Sequence, residues 1–304
     1  MTDVVRRTDA LIAEVSATVP CGESVRVLFH AVPRHLFVPP FGLACANDVG
    51  HPIDREADPA AWWDAVYSDA TIVTQLDDGA TELTSGRGDY TSSASAPSTV
   101  VSLLRLLNAG PGHHILEIGT GTGWTAALLS HLVGEHGSVT SIEVDAKVAD
   151  QAGKNLATAG THPQLIIGDG AHGHAGRAPY DRVHVTCGIR TVPHAWIEQS
   201  RPGAVIVLPY CPGFGDGHDE DGALYRLWLA DPADPYSWGT VRWRPDAEEY
   251  EVYQVGDRPL WDEVTDAYFR WVSWGEPGRD RFGMTVTPEG QRIWLDDPER
   301  GRLP

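Results

Sequence analysis

Cysteine is scarce in this chain of 304 residues, which contains four. They stand far apart, at Cys21, Cys45, Cys187 and Cys211, and no two of them form a CxxC pair. Such spacing argues against both a disulfide framework and a zinc site. We therefore interpret the four as ordinary buried thiols and expect no bound metal.

Long apolar runs are also absent. No segment approaches the roughly 20 apolar residues that a membrane-spanning helix requires. The N-terminal stretch MTDVVRRTDALIAEV lacks the apolar segment and the small-residue cleavage site of a secretory signal peptide. From these two absences we expect a cytoplasmic protein that does not act at a membrane.

Positive charge is limited, because 23 Lys and Arg stand against 42 Asp and Glu and the net charge is −19. A surface of this sign repels a phosphate backbone, so nucleic acid is not an expected partner. The same surface would attract a basic peptide. A general role of acidic surface in solubility is the stronger explanation of the charge.

Apolar runs that alternate with helix-like segments occupy the middle of the chain. The strand-like runs are HILEIG (114–119), SVTSIEV (138–144), QLIIG (164–168), RVHVT (182–186) and AVIVLP (204–209). Helices are predicted near 124–133 and 146–159. This alternation predicts an α/β fold in which helices cover both faces of a mostly parallel sheet.

We divide the chain into three regions around this alternating pattern. Residues 1–90 begin with helix-like spacing, which the prolines of VPRHLFVPP (32–40) interrupt, and become rich in Gly, Asp and Pro after residue 40. There we expect helices followed by loops and short elements that cover the active site. Residues 91–212 form the predicted core, and residues 213–304 form a C-terminal extension.

The C-terminal extension has an α+β pattern of its own and is a candidate for peptide recognition. It opens with the Gly- and Asp-rich stretch at 213–222, which reads as a loop or hinge. ALYRLWLA and WGTVRWR alternate like strands, and residues 260–274 have the spacing of an amphipathic helix. MTVTPEGQRIWL predicts a hairpin that turns at Pro288, Glu289 and Gly290.

The sequence LEIGTGTGW (116–124) reads as a strand that runs into a Gly-rich turn and then a helix. Glycines let the backbone approach a ligand closely, and the N-terminus of the helix offers free N–H groups. Dinucleotide-binding enzymes use a similar turn, so the turn alone does not identify the ligand.

An acidic residue follows each of the next two predicted strands. Glu143 in SIEVD can accept hydrogen bonds from both hydroxyls of a ribose, and Asp169 in GDG can meet an adenine edge. In this order, and with Glu117 inside the Gly motif, the three strand ends resemble the S-adenosylmethionine site of class I methyltransferases rather than a nicotinamide site. The structural alternatives are that Glu143 or Asp145 caps the next helix and that Asp169 shapes a turn.

The segment TSSASAPSTV (91–100) places small hydroxyl side chains around Pro97, directly before an apolar helix face that includes Val100, Leu104 and Leu107. Proline suits the first turn of a helix. We therefore expect the hydroxyl groups to precede or open that turn.

Several pieces of the sequence, in order, resemble protein-L-isoaspartate O-methyltransferases. They are VPRHLFVP, SAP, LEIGTGTGW, SIEVD, IIGDGAHGHAGRAPYDRVHV and VPHAWIEQSRPGAVIVLP. The resemblance covers roughly residues 24–210, and GDG followed by PYD is its most specific piece. It implies a Rossmann-like, doubly wound class I methyltransferase fold, S-adenosylmethionine as methyl donor, and a peptide or protein carboxylate as acceptor.

The resemblance also implies site residues. The serine of the family's Ser-Ala-Pro element lines the place where the acceptor carboxylate meets the sulfonium, and it corresponds to Ser95. We assign Ser93 and Thr91 to the catalytic site with it, because hydroxyls and free N–H groups at a helix start can hold an anionic oxygen. The residues assigned to cofactor binding are Glu117, Gly119, Thr120, Gly121, Gly123, Trp124, Glu143, Val144, Gly168, Asp169 and Gly170. The residues assigned to substrate binding are Ser92, Ala96, Pro97, Thr186, Cys187, Gly188, Ile189 and Arg190.

Two features depart from the family members that repair aged proteins. TCGIRTVP (186–193) inserts Ile189 and Arg190 into a small-residue loop, and the sequence after Pro209 has no counterpart in the repair enzymes. With the lengthened hydroxyl segment, they make the chain similar to the branch that acts on ribosomally made lanthipeptides, lasso peptides and graspetides. This likeness implies methylation of a chosen aspartate, which closes to a succinimide (aspartimide) that persists or opens to isoaspartate.

Two other functions stay open. The first is general repair of isoaspartyl residues in damaged proteins. The second is a catalytically inactive peptide-binding protein, although the intact Gly turn and Glu143 argue against the loss of catalysis.

Methylation of a carboxylate needs no general base, because an Asp side chain with a pKa of about 3.9 is already ionised at neutral pH. We therefore assign no catalytic role to any of the 13 histidines. The rate must come from alignment of the reacting atoms, which can supply roughly 7 to 11 kcal/mol. Trp124, Tyr90 and Ile189 are candidates for the walls of a dry pocket, and core packing is the alternative for the aromatic residues.

Overall fold

The computed structural model describes residues 2–46, 49–210, 214–218, 225–231, 234–244 and 249–300. The chain forms two compact units, one of Met1–Cys187 with Ala195–Pro209 and the other of Gly188–His194 with Tyr210–Pro304. The N-terminal region and the predicted core thus share a unit. The assignment of separate functions to the three predicted regions stays a prediction.

Two helices open the first unit, α1 (Thr2–Ser16) and α2 (Glu23–Ala31). Their apolar faces bury Leu11, Val15 and Phe29. The helix-like spacing of these residues is the pattern of a helix with one apolar face toward a core. The helical prediction for the start of the chain is confirmed.

An antiparallel sheet follows, where the sequence predicted loops and short elements. Its elements are β1 (Phe41–Ala46), β2 (Val49–Asp54), α3 (Pro59–Val66), β3 (Thr71–Leu76) and β4 (Tyr90–Ala94). The strand order is β2-β1-β3-β4. Gly50 and Pro52 gave β2 the composition of a loop, but proline is tolerated there because β2 lies at an edge of the sheet. The expectation for residues 41–90 is therefore wrong.

The centre of the first unit is a five-stranded parallel sheet with helices along the chain between its strands. The elements are α4 (Pro97–Leu107), β5 (His114–Ile118), α5 (Trp124–Val133), β6 (Ser138–Glu143), α6 (Ala146–Thr158), β7 (Gln164–Ile167), β8 (Tyr180–Val185), α7 (His194–Glu198) and β9 (Ser200–Val207). The strand order is β7-β6-β5-β8-β9, and every neighbouring pair is parallel. The predicted doubly wound α/β fold is confirmed.

The order of the strands decides where a ligand can bind. The chain winds from β5 through β6 to β7 at one edge, and then returns to β8 on the other side of β5. In sheets of this kind ligands bind outside the carboxyl ends of the strands, at the point where the order reverses. The turns that follow β5 and β8 lie at that point.

The second unit contains a four-stranded antiparallel sheet, a helix and a hairpin. They are β10 (Phe214–His218), β11 (Tyr225–Asp231), β12 (Asp234–Trp243), β13 (Tyr250–Val255), α8 (Leu260–Ser273), β14 (Phe282–Thr287) and β15 (Gly290–Leu295). The sheet order is β10-β11-β12-β13, and β14 pairs with β15. The predicted strands, helix and hairpin are confirmed, whereas β13 was not predicted.

The predicted loop or hinge at 213–222 is partly wrong. Residues 214–218 pair with β11 in a regular antiparallel register, from Phe214 opposite Leu229 to His218 opposite Tyr225. The glycines of this stretch favoured a loop, but backbone pairing with a neighbouring strand tolerates them. Residues 213 and 219–222 lie outside the described residues.

Candidate functional site

The Gly-rich turn after β5 needs glycine for its backbone conformation and for the room around it. Gly119 and Gly121 have φ angles of 89° and 54°, in the left-handed region that L side chains rarely adopt. A Cβ at Gly119 would collide with the hydroxyl of Thr186, and a Cβ at Gly121 would lie 3.3 Å from the carbonyl oxygen of Ser93. The turn is therefore in close contact with two other segments that were predicted to line the site.

Glu143, at the end of β6, is tied to the Gly-rich turn. Its Oε2 accepts a hydrogen bond from the Gly121 N–H at 2.9 Å. Its Oε1 accepts from the N–H groups of Val144 and Asp145, at 2.9 and 3.2 Å. The residue is half-buried.

The cap of α6 is Asp145 rather than Glu143. Asp145 Oδ1 accepts from the N–H groups of Lys147 and Val148, at 2.7 and 3.2 Å. The structural alternative is therefore confirmed for Asp145 and wrong for Glu143. Glu143 stays available as a ligand-binding acid.

Glu117 cannot touch a ligand directly, because its side chain is completely buried. Ser141 donates to Glu117 Oε2 at 2.5 Å, and the hydroxyls of Thr120 and Ser141 are 2.6 Å apart. Since Ser141 gives its only hydrogen to Glu117, Thr120 donates to Ser141. Burial raises the pKa of Glu117 to about 8, which keeps it protonated at neutral pH. The predicted contact with the cofactor is thus corrected to a hydrogen-bonded connection through Ser141 to the turn.

His184 is a buried neighbour of Glu117 that the sequence analysis set aside with the other histidines. Its Nδ1 lies 3.8 Å from Glu117 Oε1, and neither ring nitrogen has a hydrogen-bond partner among the described residues. Burial lowers the pKa of His184 to about 4, so the pair is neutral rather than an ion pair at neutral pH. The pairing of β5 with β8 places His184 opposite Glu117, and the sequence of each strand alone does not reveal this.

Asp169 shapes the turn after β7. Its Oδ1 accepts from the Ala171 N–H at 2.9 Å, so the structural alternative for this residue is confirmed. Gly168 lies before it, and the Gly170 Cα packs so closely on Ile118 that a Cβ would collide with that side chain. The carboxylate is exposed, and its Oδ2 lies 3.7 Å from His172 Nδ1.

Two apolar side chains are exposed beside these acids. Val144 is 74% exposed and Ile167 is 61% exposed, and they stand at the carboxyl ends of β6 and β7. Exposed apolar side chains of this size at a strand end offer a surface for a flat ring. Val144 was predicted and Ile167 was missed, although it is the last apolar residue of QLII before GDG.

The side chain of Trp124 belongs to the core. It is 2% exposed, its Nε1 donates to the Val32 carbonyl at 3.2 Å, and its ring centre lies 5.4 Å from that of Phe29. The prediction that Trp124 forms a wall of a dry pocket is wrong, and the core-packing alternative is confirmed. Only its backbone lies at the ligand-facing start of α5, directly after Gly123.

The hydroxyl segment is mainly a strand rather than a helix opening. Thr91 donates to Gln75 Oε1 and accepts from the Asp78 N–H, each at 3.0 Å. Ser92 accepts from the Thr74 hydroxyl at 3.0 Å. These two hydroxyls hold β4 to its surroundings, so the predicted catalytic role of Thr91 and substrate contact of Ser92 compete with hydrogen bonds already made.

Ser93 and Ser95 are the hydroxyls that remain. Among the residues that the structure describes, no hydrogen-bond partner is present for either side-chain oxygen, and both residues are half-buried. Ser95 follows β4, and Ala96 precedes Pro97, which is the first residue of α4 as predicted. The two free hydroxyls therefore lie on the segment that contacts the Gly-rich turn.

The protein itself satisfies part of the start of α4. Pro97 has no N–H, the Ser98 N–H donates to Asp69 Oδ1 at 2.8 Å, and the Ala96 N–H donates to the Thr71 hydroxyl at 3.2 Å. Asp69 thus takes one of the N–H groups that we expected to hold an anionic oxygen, and a role of the helix start in binding the acceptor stays a prediction.

The remaining predicted substrate residues follow β8. The Thr186 hydroxyl shares its one hydrogen between the carbonyl oxygens of Ile118 and Gly119, at 3.0 and 2.7 Å. Cys187 is exposed, so the expectation of a buried thiol is wrong there, because this cysteine follows the end of β8. Gly188, Ile189 and Arg190 belong to the second unit, where Gln291 donates to the Arg190 carbonyl at 3.0 Å. Their predicted role in binding the acceptor stays a prediction.

A groove of about 230 Å³ opens beside the Gly-rich turn. It touches Gly121 and Ser92 and extends to Lys147 and Gln151 on α6. Within the described ranges, no set of three or more His, Cys, Asp or Glu side chains is placed to hold a metal ion. No helix in this part of the chain has the length and apolar character to cross a membrane.

Comparisons with known proteins place the chain beside one family. The family profile described as protein-L-isoaspartate(D-aspartate) O-methyltransferase matches residues 51–215. A protein-L-isoaspartate O-methyltransferase of Methanopyrus kandleri is 38% identical over 148 residues, which are 48% of this chain and 60% of that relative. Protein-L-isoaspartate O-methyltransferase 2 of Archaeoglobus fulgidus is 30% identical over 233 residues, which are 74% of this chain and 85% of that relative.

A solved structure has the same fold. It is titled protein-L-isoaspartate O-methyltransferase, has a TM-score of 0.58 and 20% identity, and is matched over 95% of this chain and 100% of its own. The match to the Methanopyrus relative spans less than two thirds of that relative's length. The family profile covers the Gly-rich turn, both acids and the hydroxyl segment.

Proposed function

Because the chain belongs to the protein-L-isoaspartate(D-aspartate) O-methyltransferase family, we propose that it transfers a methyl group from S-adenosylmethionine to an isoaspartyl carboxylate of a peptide or protein. The observation that carries the proposal is the junction of three segments in one place. Glu143 bonds to Gly121, and Gly121 lies against the Ser93 backbone of the hydroxyl segment. A cytoplasmic location remains part of the proposal.

The residues at this junction fit S-adenosylmethionine. The left-handed glycines let the turn pack directly on Thr186 and on the Ser93 carbonyl, so that its backbone can form a cradle for the cofactor. Val144 and Ile167 offer apolar surface for an adenine ring, and the exposed carboxylate of Asp169 can reach its edge. When bound, the cofactor supplies an electrophilic methyl group on a sulfonium.

Glu143 would bind the ribose of the cofactor with only part of its hydrogen-bonding capacity. A carboxylate has about four lone-pair sites, and three of them already accept backbone N–H groups. One site on Oε2 is left for a ribose hydroxyl. Acceptance of both hydroxyls requires one of the backbone hydrogen bonds to open.

The acceptor carboxylate needs orientation rather than activation. It is ionised at neutral pH, so the protein need not remove a proton. The Ser95 hydroxyl can donate to one carboxylate oxygen and leave the other directed at the methyl group. Ser93, two residues earlier in β4, offers the second hydroxyl that can donate from the same segment.

Family membership says less about the methyl acceptor than about the methyl donor. The curated relatives carry the name of isoaspartate enzymes, which favours repair of isoaspartyl residues over modification of a ribosomally made peptide. The second candidate was suggested by the sequence after Pro209, and the profile does end at residue 215. The expectation that this sequence has no counterpart in the repair enzymes is wrong, because the solved protein-L-isoaspartate O-methyltransferase is matched over 95% of this chain and the Archaeoglobus relative over 74% of it. The second unit therefore does not favour a precursor peptide over an isoaspartyl protein, although it stays a candidate for peptide recognition.

Parallel incubations with three acceptors separate these candidates. The full chain is incubated with S-adenosylmethionine and an unstructured isoaspartyl peptide, its aspartyl counterpart, or the modified product of a neighbouring precursor gene. Methylation of the isoaspartyl peptide alone supports repair. Methylation of the precursor alone supports the second candidate and overturns repair.

A peptide-binding protein without catalysis predicts a third result. Calorimetry with S-adenosylhomocysteine measures whether the cradle binds cofactor at all. Binding without methylation of any acceptor would favour the inactive protein, and absence of binding would remove the cofactor from the account.

A further inference from the structure

Arg34 is a buried cation whose partners are all backbone carbonyls. Its side chain is 2% exposed and lies in the piece VPRHLFVP. Nη1 donates to Val66 and Ser68, at 3.0 and 3.1 Å. Nη2 donates to the carbonyl oxygens of Ala70, Ala94 and Ser95, and these three bonds are 2.7, 3.0 and 3.0 Å long.

The guanidinium also contacts the helix that follows the Gly-rich turn. Its central carbon lies 5.3 Å from the ring centre of Trp124, the first residue of α5, in a cation–π arrangement. Burial lowers the pKa of Arg34 to about 10, with Asp69 opposing the shift, so the group keeps its charge at neutral pH. One charged group thus connects the end of α3, the hydroxyl segment and the start of α5.

The same region fixes the start of α4. Asp69 accepts from the Ser98 N–H and Thr71 accepts from the Ala96 N–H, and both residues lie beside the carbonyls that Arg34 binds. The backbone from Ala94 to Ser98 is therefore held from two sides. Ser95, in the middle of it, keeps a free hydroxyl.

We propose that Arg34 is a positioning residue for methyl transfer. It holds the Ala94–Ser95 backbone at a fixed distance from α5, the helix that follows the Gly-rich turn. The inference rests on the proposed function. Reacting groups on two segments react only when both are aligned, and a displacement of about 1 Å can lower the rate on the order of 100-fold. The planar guanidinium suits this task, because the N–H groups of Nη1 and Nη2 together reach all five carbonyls while Nε has no partner among the described residues. An ammonium has three donors at one point and cannot reach all five carbonyls.

The test compares Arg34→Lys with a matched control, Arg182→Lys. Arg182 also donates to backbone carbonyls, those of Leu107, Asn108 and Asp181, at the opposite end of α4. Both variants keep the charge and lose arginine bonds to carbonyls. Only the first of them touches the backbone of Ser95.

We expect Arg34→Lys to lower kcat on the order of 100-fold, with the KM for peptide and the affinity for S-adenosylhomocysteine each within about threefold of the parent value. Arg182→Lys should keep kcat within that range even where it lowers the melting temperature. Equal loss of kcat in both variants, or unchanged kcat in Arg34→Lys, overturns the inference.

Hydrogen exchange gives a readout that does not depend on activity. Exchange at the amides of Ala96 and Ser98 should be at least tenfold faster in Arg34→Lys and unchanged in Arg182→Lys, because only the first change loosens that backbone. Unchanged exchange overturns the inference even if the parent protein proves inactive. Inactivity of the parent with faster exchange in the variant counts against the proposed function and supports the role of Arg34.

Thr71→Val is the alternative test variant if Arg34→Lys does not fold. It removes the hydroxyl that accepts the Ala96 N–H and leaves Arg34 in place. The expected result is a lower kcat with unchanged cofactor affinity. A parent-like kcat in Thr71→Val would overturn the claim that the rate depends on the position of the Ala94–Ser95 backbone.

Discussion

Gly121 and Glu143 are joined directly, because the Gly121 N–H donates to Glu143 Oε2 at 2.9 Å. The bond connects the turn after β5 to the end of β6. It also uses part of a carboxylate that would bind the ribose of the cofactor. The geometry of the turn and the affinity for cofactor should therefore depend on the same side chain.

Glu143→Gln should weaken cofactor binding without unfolding the protein. The amide keeps the size of the side chain and loses the charge, and hydrogen bonds to charged groups contribute about 1.5–3 kcal/mol. We expect the Kd for S-adenosylhomocysteine to rise on the order of 10- to 100-fold in calorimetry. Asp145→Asn is the matched control, because asparagine also caps a helix well, and its Kd should stay near the parent value. Equal Kd values for parent and Glu143→Gln would contradict the assignment.

Gly121→Ala should affect the site as well as stability. The control is Gly86→Ala: Gly121 and Gly86 have φ angles of 54° and 64°, so alanine at either position costs about 1 kcal/mol of backbone strain. A Cβ at Gly121 would press on the Ser93 carbonyl, whereas a Cβ at Gly86 meets no atom within 4 Å. Denaturant unfolding should therefore show a similar loss in both variants, while calorimetry shows weaker cofactor binding only in Gly121→Ala. Parent-like affinity in Gly121→Ala would argue against a cradle at this turn.

Ser95→Ala should lower the rate of methyl transfer and leave cofactor binding intact. The free hydroxyl is the local donor to the acceptor carboxylate, and loss of alignment at one oxygen should lower kcat on the order of 10- to 100-fold. Ser92→Ala is the control, since its hydroxyl accepts from Thr74 and does not face the acceptor in this account. Steady-state kinetics with an isoaspartyl peptide measures both. A Ser95→Ala variant with full kcat would show that the hydroxyl is not used.

The buried pair Glu117 and His184 predicts how stability depends on pH. Burial raises the pKa of Glu117 from 4.5 to about 8, so its contribution to stability is full below pH 4.5 and is lost as the pH rises to about 8. Burial lowers the pKa of His184 from 6.5 to about 4, so stability on its account is lost as the pH falls from 6.5 to about 4. Below pH 6.5 the two groups change the free energy of unfolding in opposite directions as the pH varies. Above pH 6.5 only Glu117 contributes to its pH dependence.

We therefore expect the free energy of unfolding to fall between about pH 6.5 and pH 8. Glu117→Gln, which mimics the protonated acid, should remove that fall and be nearly as stable as the parent at pH 6. Urea denaturation at a series of pH values measures both proteins. A fall of the same size in the variant would mean that another group titrates.

The doubly wound sheet could be predicted from sequence because its signal is local. The apolar face of α5 and the strand of LEIG are complete within a few residues, and the observed bounds of α5 agree with the predicted ones. The first sheet escaped prediction because its strands are stabilised by pairing over long distances. Gly50 and Pro52 obscure β2, and only its place at an edge explains them.

The residues of the proposed site likewise fall into those that local sequence predicts and those that it does not. Gly121, Glu143 and Asp169 could be predicted because each lies at or just after the carboxyl end of a strand. The burial of Glu117 and the use of the Ser98 N–H by Asp69 depend on neighbours from other parts of the chain. Arg34 reads as one arginine among many in the sequence, and only its five carbonyl partners distinguish it.

Release of base-labile methyl groups is the most direct test of the central claim. The full chain is incubated with S-adenosylmethionine labelled in its methyl group and an isoaspartyl peptide, and methanol released from the ester by mild base is counted. We predict labelled methanol from the parent and much less from Glu143→Gln and Ser95→Ala. A parent protein that binds S-adenosylhomocysteine yet yields no labelled ester on isoaspartyl, aspartyl or precursor peptides would contradict the account.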